Sequence, residues 1–166
     1  MDISFNDLLE IHTTLDELFL EHQRALLRLD LTAASAALEA YELELLLHIQ
    51  DEEQLILPLY RERVEAPVGG AAEIFFGEHD KIRQYVALFM EAIKKLERSD
   101  DLEKDVLWLL DSQTTFKRLH VHHDTREKKM LYPLLDAVTT EEERRDLFAS
   151  MRLVPISMRA RAKVAR

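Results

Sequence analysis

The chain has no cysteine, which excludes disulfides, thiolate-bound zinc and iron–sulfur clusters together. Glycine occurs three times and proline four times in 166 residues, and no alternating run of β-branched residues is present, so strand signals are almost absent. No apolar run reaches membrane-spanning length, and the N-terminus lacks the pattern of a secretory leader. A soluble cytoplasmic protein with no membrane contact is therefore expected. The net charge of −10 argues against nucleic acid as a partner. That charge is uneven. Residues 152–166 hold Arg152, Arg159, Arg161, Lys163 and Arg166 and no acid, which leaves the remainder near −15. A short basic tail on an acidic body is expected to dock on its own domain or to stay mobile.

What the chain does have is helical periodicity. At 166 residues it is long enough for one domain with a substantial core. Residues 1–13 carry Phe5, Leu8, Leu9 and Ile11, too apolar for a free arm, and are expected to lie across one end. Thr14-Leu15-Asp16-Glu17 fits a capping box and places the start of the first helix. After a break at Asp30-Leu31-Thr32, the positions Leu38, Tyr41, Leu45, His48, Glu52, Leu55 and Leu59 alternate in steps of three and four, as in a bundle seam. Pro67 and Gly69-Gly70 mark a loop. A third helix carries Phe76, His79, Ile82, Val86, Phe89, Ile93 and Leu96. Ser99-Asp100-Asp101 breaks it, and a fourth carries Val106, Leu109, Gln113, Phe116, His120, His123, Glu127, Met130 and Leu134. Thr140-Glu141-Glu142-Glu143 can cap a short fifth helix before a tail containing Pro155. The pattern predicts an all-α, antiparallel up-down-up-down four-helix bundle with a core of about residues 14–136. An N-terminal arm precedes that core, and a short helix plus tail follows it.

Polar residues interrupt these seams in a duplicated way. His48-x-x-x-Glu52 is followed by Pro58, and His123-x-x-x-Glu127 by Pro133, each proline six positions after its glutamate. Residues four apart share a helix face, so each pair can present one imidazole and one carboxylate to the same metal. Glu21-His22 and Glu78-His79 lie upstream. The repeating set is His22, His48, Glu52, His79, His123 and Glu127.

Counted from the helix ends, these residues fall at similar depths, about 12–15 Å from one end of the bundle at 1.5 Å per residue. The opposite end matches less well: 26 positions separate His22 from His48 and 44 separate His79 from His123, which predicts one short and one long overhang. A lone inward histidine is usually a hydrogen-bonded core residue. Two inward glutamates are harder to bury, because each unpaired carboxylate costs several kcal/mol or takes up a proton. Metal cations would neutralise them. Six ligands exceed one tetrahedral zinc, and two carboxylates can each bridge. The expectation is two iron ions with an oxo or hydroxo bridge and an exchangeable position, with manganese or zinc as possible substitutes.

With His22, His48-x-x-x-Glu52, His79 and His123-x-x-x-Glu127, and with Asp51-Glu52-Glu53 and Leu57-Pro58 around the second helix, residues 14–136 resemble the hemerythrin-like (HHE cation-binding) family. The resemblance implies a non-haem di-iron centre inside a four-helix bundle. The oxygen-carrying hemerythrins have His-x-x-x-His on the third helix and an aspartate on the fourth; here Phe75 and Glu127 stand at those positions. The symmetric pattern is more similar to hemerythrin-like proteins linked to peroxide breakdown, nitric oxide chemistry, or iron sensing and repair. The Glu-x-x-His signature of ferritin-like proteins occurs nowhere in the chain.

His120, one turn before His123, is open to three roles: a fifth imidazole, a proton relay just outside the ligands, or a histidine bonded to a neighbouring carbonyl. The relay is the role assigned to it as a catalytic candidate. His122 and His12 are read as surface or end residues. Two functions remain: turnover or binding of dioxygen, peroxide or nitric oxide at the metal pair, and a non-enzymatic module that senses iron or a diatomic gas. The acidic surface and terminal segments would suit a homodimer.

Overall fold

A computed structural model describes residues 3–155. A 3-10 turn at Phe5–Leu8 leads into α1 (Leu9–Leu27). Helix α2 (Leu31–Asp51) passes through a π-helical turn, Glu52–Ile56, into α3 (Leu57–Arg63). Helix α4 (Ala72–Leu96) follows, and then α5 (Leu102–Arg126), which passes through a second π turn, Glu127–Leu131, into α6 (Tyr132–Val138). The short α7 (Glu141–Ser150) closes one end, with Thr140 and Glu143 forming its capping box. The four rods are antiparallel, each packed on the next in sequence, with α5 returning to α1. Among the described residues there is no strand and no helix long and apolar enough to cross a membrane.

The first helix begins earlier than its threonines suggest. Ser4 is the cap, accepting from the Asn6 amide while Asp7 accepts from the Ser4 amide. Ser4 Oγ and the Phe5 amide also bond the Asp136 carboxylate, at 2.5 and 2.9 Å, which ties this start to the end of α6. The Thr13 and Thr14 hydroxyls instead bond carbonyls four residues back, those of Leu9 and Glu10. They are helix-interior threonines. The expected arm is thus a 3-10 turn and the first turn of α1.

Both π turns sit where a proline follows six residues after a glutamate. Proline has no N–H, and its ring clashes with the carbonyl four residues back. Widening the turn relieves both problems: the Leu57 amide bonds the Glu52 carbonyl and the Tyr132 amide bonds the Glu127 carbonyl, five residues back in each case. Each widened turn takes up one additional residue. The buried positions downstream shift by one: Ile56 and Tyr60 are buried instead of Leu55 and Leu59, and Leu131 and Leu135 instead of Met130 and Leu134.

An aromatic layer crosses the middle of the bundle. The Phe19 ring lies 5.1 Å from both Tyr41 and Phe116, and Phe89 is 5.4 Å from Phe116. Burying each ring contributes about 1.5–3 kcal/mol. At the C-terminus the chain returns across α2. The amides of Arg152 and Leu153 both bond Asp51 Oδ2 at 2.8 Å, and the Arg152 guanidinium bonds Asp51 Oδ1 at 3.0 Å. Arg159, Arg161, Lys163 and Arg166 of the basic tail lie outside the described residues.

Candidate metal centre

Between the aromatic layer and the α7 end, four rods each contribute histidine or glutamate to one buried space. Glu52, His79, His123 and Glu127 offer donor atoms that all lie within 4.8 Å of one another. His79 Nε2 is 3.2 Å from Glu52 Oε2 and 3.8 Å from Glu127 Oε1, while His123 Nε2 is 2.8 Å from Glu127 Oε1. A second group, His12, His48 and Glu127, is equally close. Its distances are 3.0 Å between the Nε2 atoms of His12 and His48 and 3.3 Å from His12 Nε2 to Glu127 Oε2. Glu127 therefore turns one oxygen to each group. Glu52 Oε2 also lies 3.8 Å from His48 Nε2.

His22 is not in either group, and this corrects the ligand set read from the sequence. Its Nδ1 is 2.9 Å from the Ala34 carbonyl and its Nε2 is 2.8 Å from the Gln113 amide nitrogen, so both ring nitrogens are engaged elsewhere. His12 occupies the place expected of His22. The two share a helix face ten residues apart, about 15 Å along the axis. Because α1 starts at Leu9, it is His12 that reaches the level of His48, 36 residues away. That separation is much nearer the 44 between His79 and His123 than the 26 counted from His22.

The donors fit a cation. Glu52 Oε2, His79 Nε2 and Glu127 Oε1 are buried without a hydrogen-bond partner. His79 Nε2 and the carboxylate oxygens face one another out of hydrogen-bond alignment, so their attraction is electrostatic. Buried polar atoms left without a hydrogen bond are costly, and a cation that displaces the Nε2 protons would take up all three. The family model described as the hemerythrin HHE cation-binding domain matches residues 4–135. The chain belongs to the hemerythrin HHE cation-binding family. Comparison with curated proteins and with solved structures gives no significant match.

The hemerythrin-like centre is framed by a second set of carboxylates. Glu53 Oε1 lies 3.1 Å from His79 Nδ1, and its other oxygen, Oε2, accepts from Arg83 at 2.6 Å. Glu78 Oε2 lies 3.1 Å from His123 Nδ1, and its other oxygen bonds Arg126. Each histidine thus donates Nδ1–H outward and presents Nε2 inward, the arrangement that fixes a metal-binding imidazole. The acidic run 51–53 divides three tasks: Asp51 anchors the C-terminal return, Glu52 enters the centre and Glu53 orients His79.

These contacts set the charge balance of the metal-free protein. Burial opposes charge on His79, but Glu127, Glu52 and Glu53 outweigh it and raise its pKa to about 11. His123 is likewise raised to about 10 against its burial, chiefly by Glu127 and Glu78. Burial also works against ionised Glu127, yet His123, His79 and His12 hold it well below the usual carboxylate range. Burial dominates at His12 and lowers it to about 4.

Two residues remain. Tyr132 is fully buried, and its hydroxyl donates to Glu52 Oε1 at 2.7 Å, with His12 Nε2 at 3.2 Å and Glu127 Oε2 at 3.4 Å. The sequence reading passed over it because an uninterrupted helix would point position 132 away from the seam. His120 lies outside both buried groups, its Nδ1 3.5 Å from Asp124 Oδ2 and 3.9 Å from Asp16 Oδ1. Asp124 Oδ1 is in turn 3.5 Å from His12 Nδ1. His122 is exposed, as expected.

Proposed function

We propose that this chain holds a carboxylate-bridged pair of iron ions and binds or turns over dioxygen, peroxide or nitric oxide there. The observation that carries the reading is Glu127, whose Oε1 faces His123 and His79 while its Oε2 faces His12. A carboxylate placed in this way is suited to touch two cations. Four imidazoles and two carboxylates without thiolate favour iron or manganese over a structural zinc. A bound iron pair would supply redox chemistry and an exchangeable position for a small ligand.

The chain's own residues would do the rest. Tyr132 orients Glu52 and keeps a hydroxyl proton at the inner face of the site. Phe75, buried and 6.5 Å from the His123 ring, occupies space where the oxygen carriers have a histidine; it narrows the site without offering a donor. Glu53 and Glu78 hold the His79 and His123 rings in place.

Anaerobic loading with ferrous iron followed by metal analysis should give close to two equivalents per chain. Exposure of that protein to oxygen, peroxide and nitric oxide in separate cuvettes should change the absorption spectrum with at least one of them. A single tightly held zinc, or two irons indifferent to all three reagents, would overturn the reading.

A further inference from the structure

Just outside the centre, a third group of ligating side chains converges. Asp16 on α1 and His120 and Asp124 on α5 have donor atoms within 4.8 Å of one another. His120 and Asp124 are four residues apart, the spacing of His48 with Glu52 and of His123 with Glu127. No hydrogen bond joins the three, since 3.5 and 3.9 Å from the His120 ring are too long. Among the described residues, neither aspartate is paired with a lysine or arginine.

The group lies at a cleft of about 260 Å³ between α1 and α5, whose wall includes Asp16, His120, Tyr41 and Phe116. Tyr41 is 1% exposed, and its hydroxyl has no partner. The charges of Asp124 and Asp16 both act on that hydroxyl. A buried, unpartnered hydroxyl in an apolar layer is costly. Here it faces the same space as Asp16 and His120, where a hydrated ion could meet it.

The geometry suits a cation more closely than a hydrogen-bonded cluster. A metal ion about 2.0–2.2 Å from each donor holds its ligands at most about 4.4 Å apart. Asp16 is exposed and free to close the remaining tenths of an ångström. Two carboxylates balance a divalent charge, and one imidazole with two carboxylates is a first-row transition-metal ligand set. Asp124 links this group to the centre: one oxygen faces His120 and the other is 3.5 Å from His12 Nδ1, a nitrogen that is itself unpartnered.

We propose that Asp16, His120 and Asp124 form a separate mononuclear site for a divalent transition-metal cation, which stages the ion before it passes Asp124 to the His12 side of the buried centre. The site stands on its own residues; the staging role rests on the binuclear reading above.

The probe is manganese(II) added to the metal-free full chain, with the free aqueous ion followed by electron paramagnetic resonance. The wild-type protein should bind one more equivalent than Asp16→Asn, and His120→Gln should lose the same one. This difference reads the outer site alone, while the equivalents retained by both variants read the buried centre. A failure of the binuclear reading therefore shows separately, in the retained number. Asp16 is exposed, so Asp16→Asn should melt like the wild type. Stopped-flow filling of the buried centre with ferrous iron should be at least tenfold slower in Asp16→Asn, with the same iron content in that centre at the end. Identical manganese titrations for wild type and both variants would overturn the site. A lost outer equivalent with an unchanged loading rate would overturn the staging role.

Discussion

Replacing Tyr132 with phenylalanine removes one oxygen from the middle of the centre and leaves the ring that fills it. The lost atom is the donor to Glu52 Oε1 at 2.7 Å, and Glu52 is 1% exposed, so water cannot replace the bond without opening the bundle. A hydrogen bond to a charged group contributes about 1.5–3 kcal/mol. In a domain of this size each kcal/mol moves the unfolding midpoint by about 2–4 °C. Metal-free Tyr132→Phe should therefore melt about 3–12 °C below the metal-free wild type in a calorimeter. Metal changes the comparison, because a cation then meets the Glu52 charge that the hydroxyl was holding. The gap between variant and wild type should narrow in the loaded protein, with metal content unchanged. A metal-free variant that melts within a degree of wild type would show that the hydroxyl is not holding Glu52. A gap as wide in the loaded protein as in the metal-free one would show that Glu52 is not met by metal.

His12→Ala should reduce bound metal from about two equivalents to one, whereas His22→Ala should leave it unchanged and cost about 1–3 kcal/mol, because Gln113 and the Ala34 carbonyl lose a buried partner. Metal analysis with denaturant unfolding separates the two, and the reverse pattern would restore His22 to the ligand set. Glu53→Gln should weaken metal binding by about 10–100-fold, read by competition with a coloured chelator; unchanged affinity would remove Glu53 from the orientation of His79. The pH dependence follows from signs. His79 and His123 are raised to about 11 and about 10 in the folded metal-free protein, so their contribution is complete below the ordinary histidine pKa of about 6.5 and fades as pH rises toward 10–11. Glu53 is lowered to about 2, burial being outweighed by His79 and Arg83, so its contribution is complete above about 4.5 and fades as pH falls toward 2. Melting of the metal-free protein should therefore drop between pH 7 and 10 while the loaded protein, whose ligating histidines are neutral and keep only the Nδ1 proton, stays nearly level. A flat metal-free profile would contradict this balance.

The helical period carried most of the fold into view, because a three–four rhythm of apolar residues has only one inexpensive arrangement across four segments. His48, Glu52, His79, His123 and Glu127 were legible as inward residues for that reason. His12 was not, although the signal was present. Ser4-x-x-Asp7 is a capping box as good as that at Thr14, and the unequal histidine separations of 26 and 44 already pointed to a ligand farther up the first helix. In the fold the long-range spacing prevails over the local capping signal at Thr14. Tyr132 failed for another cause. Periodicity assumes a constant pitch, and the prolines at 58 and 133 break it just after each glutamate. Glu53, Glu78 and Asp124 could not be singled out among 32 acidic residues, since nothing in their own spacing says which carboxylates meet a histidine across the bundle.

Each π turn stores one surplus residue, so the chain tolerates changes of length very unevenly. Removing any one of Lys128, Lys129 or Met130 leaves a continuous helix and disturbs no residue before Glu127. The helix then closes to ordinary winding, and because the widened turn had already absorbed that residue, Leu131, Tyr132 and Leu135 keep their faces toward the core. The same deletion between Val64 and Gly70 shortens a loop and rotates nothing. Gain or loss of a single residue is therefore most damaging in the regularly wound stretches of the rods, where everything beyond turns by about 100°, and loss is least damaging at a widened turn or in a loop.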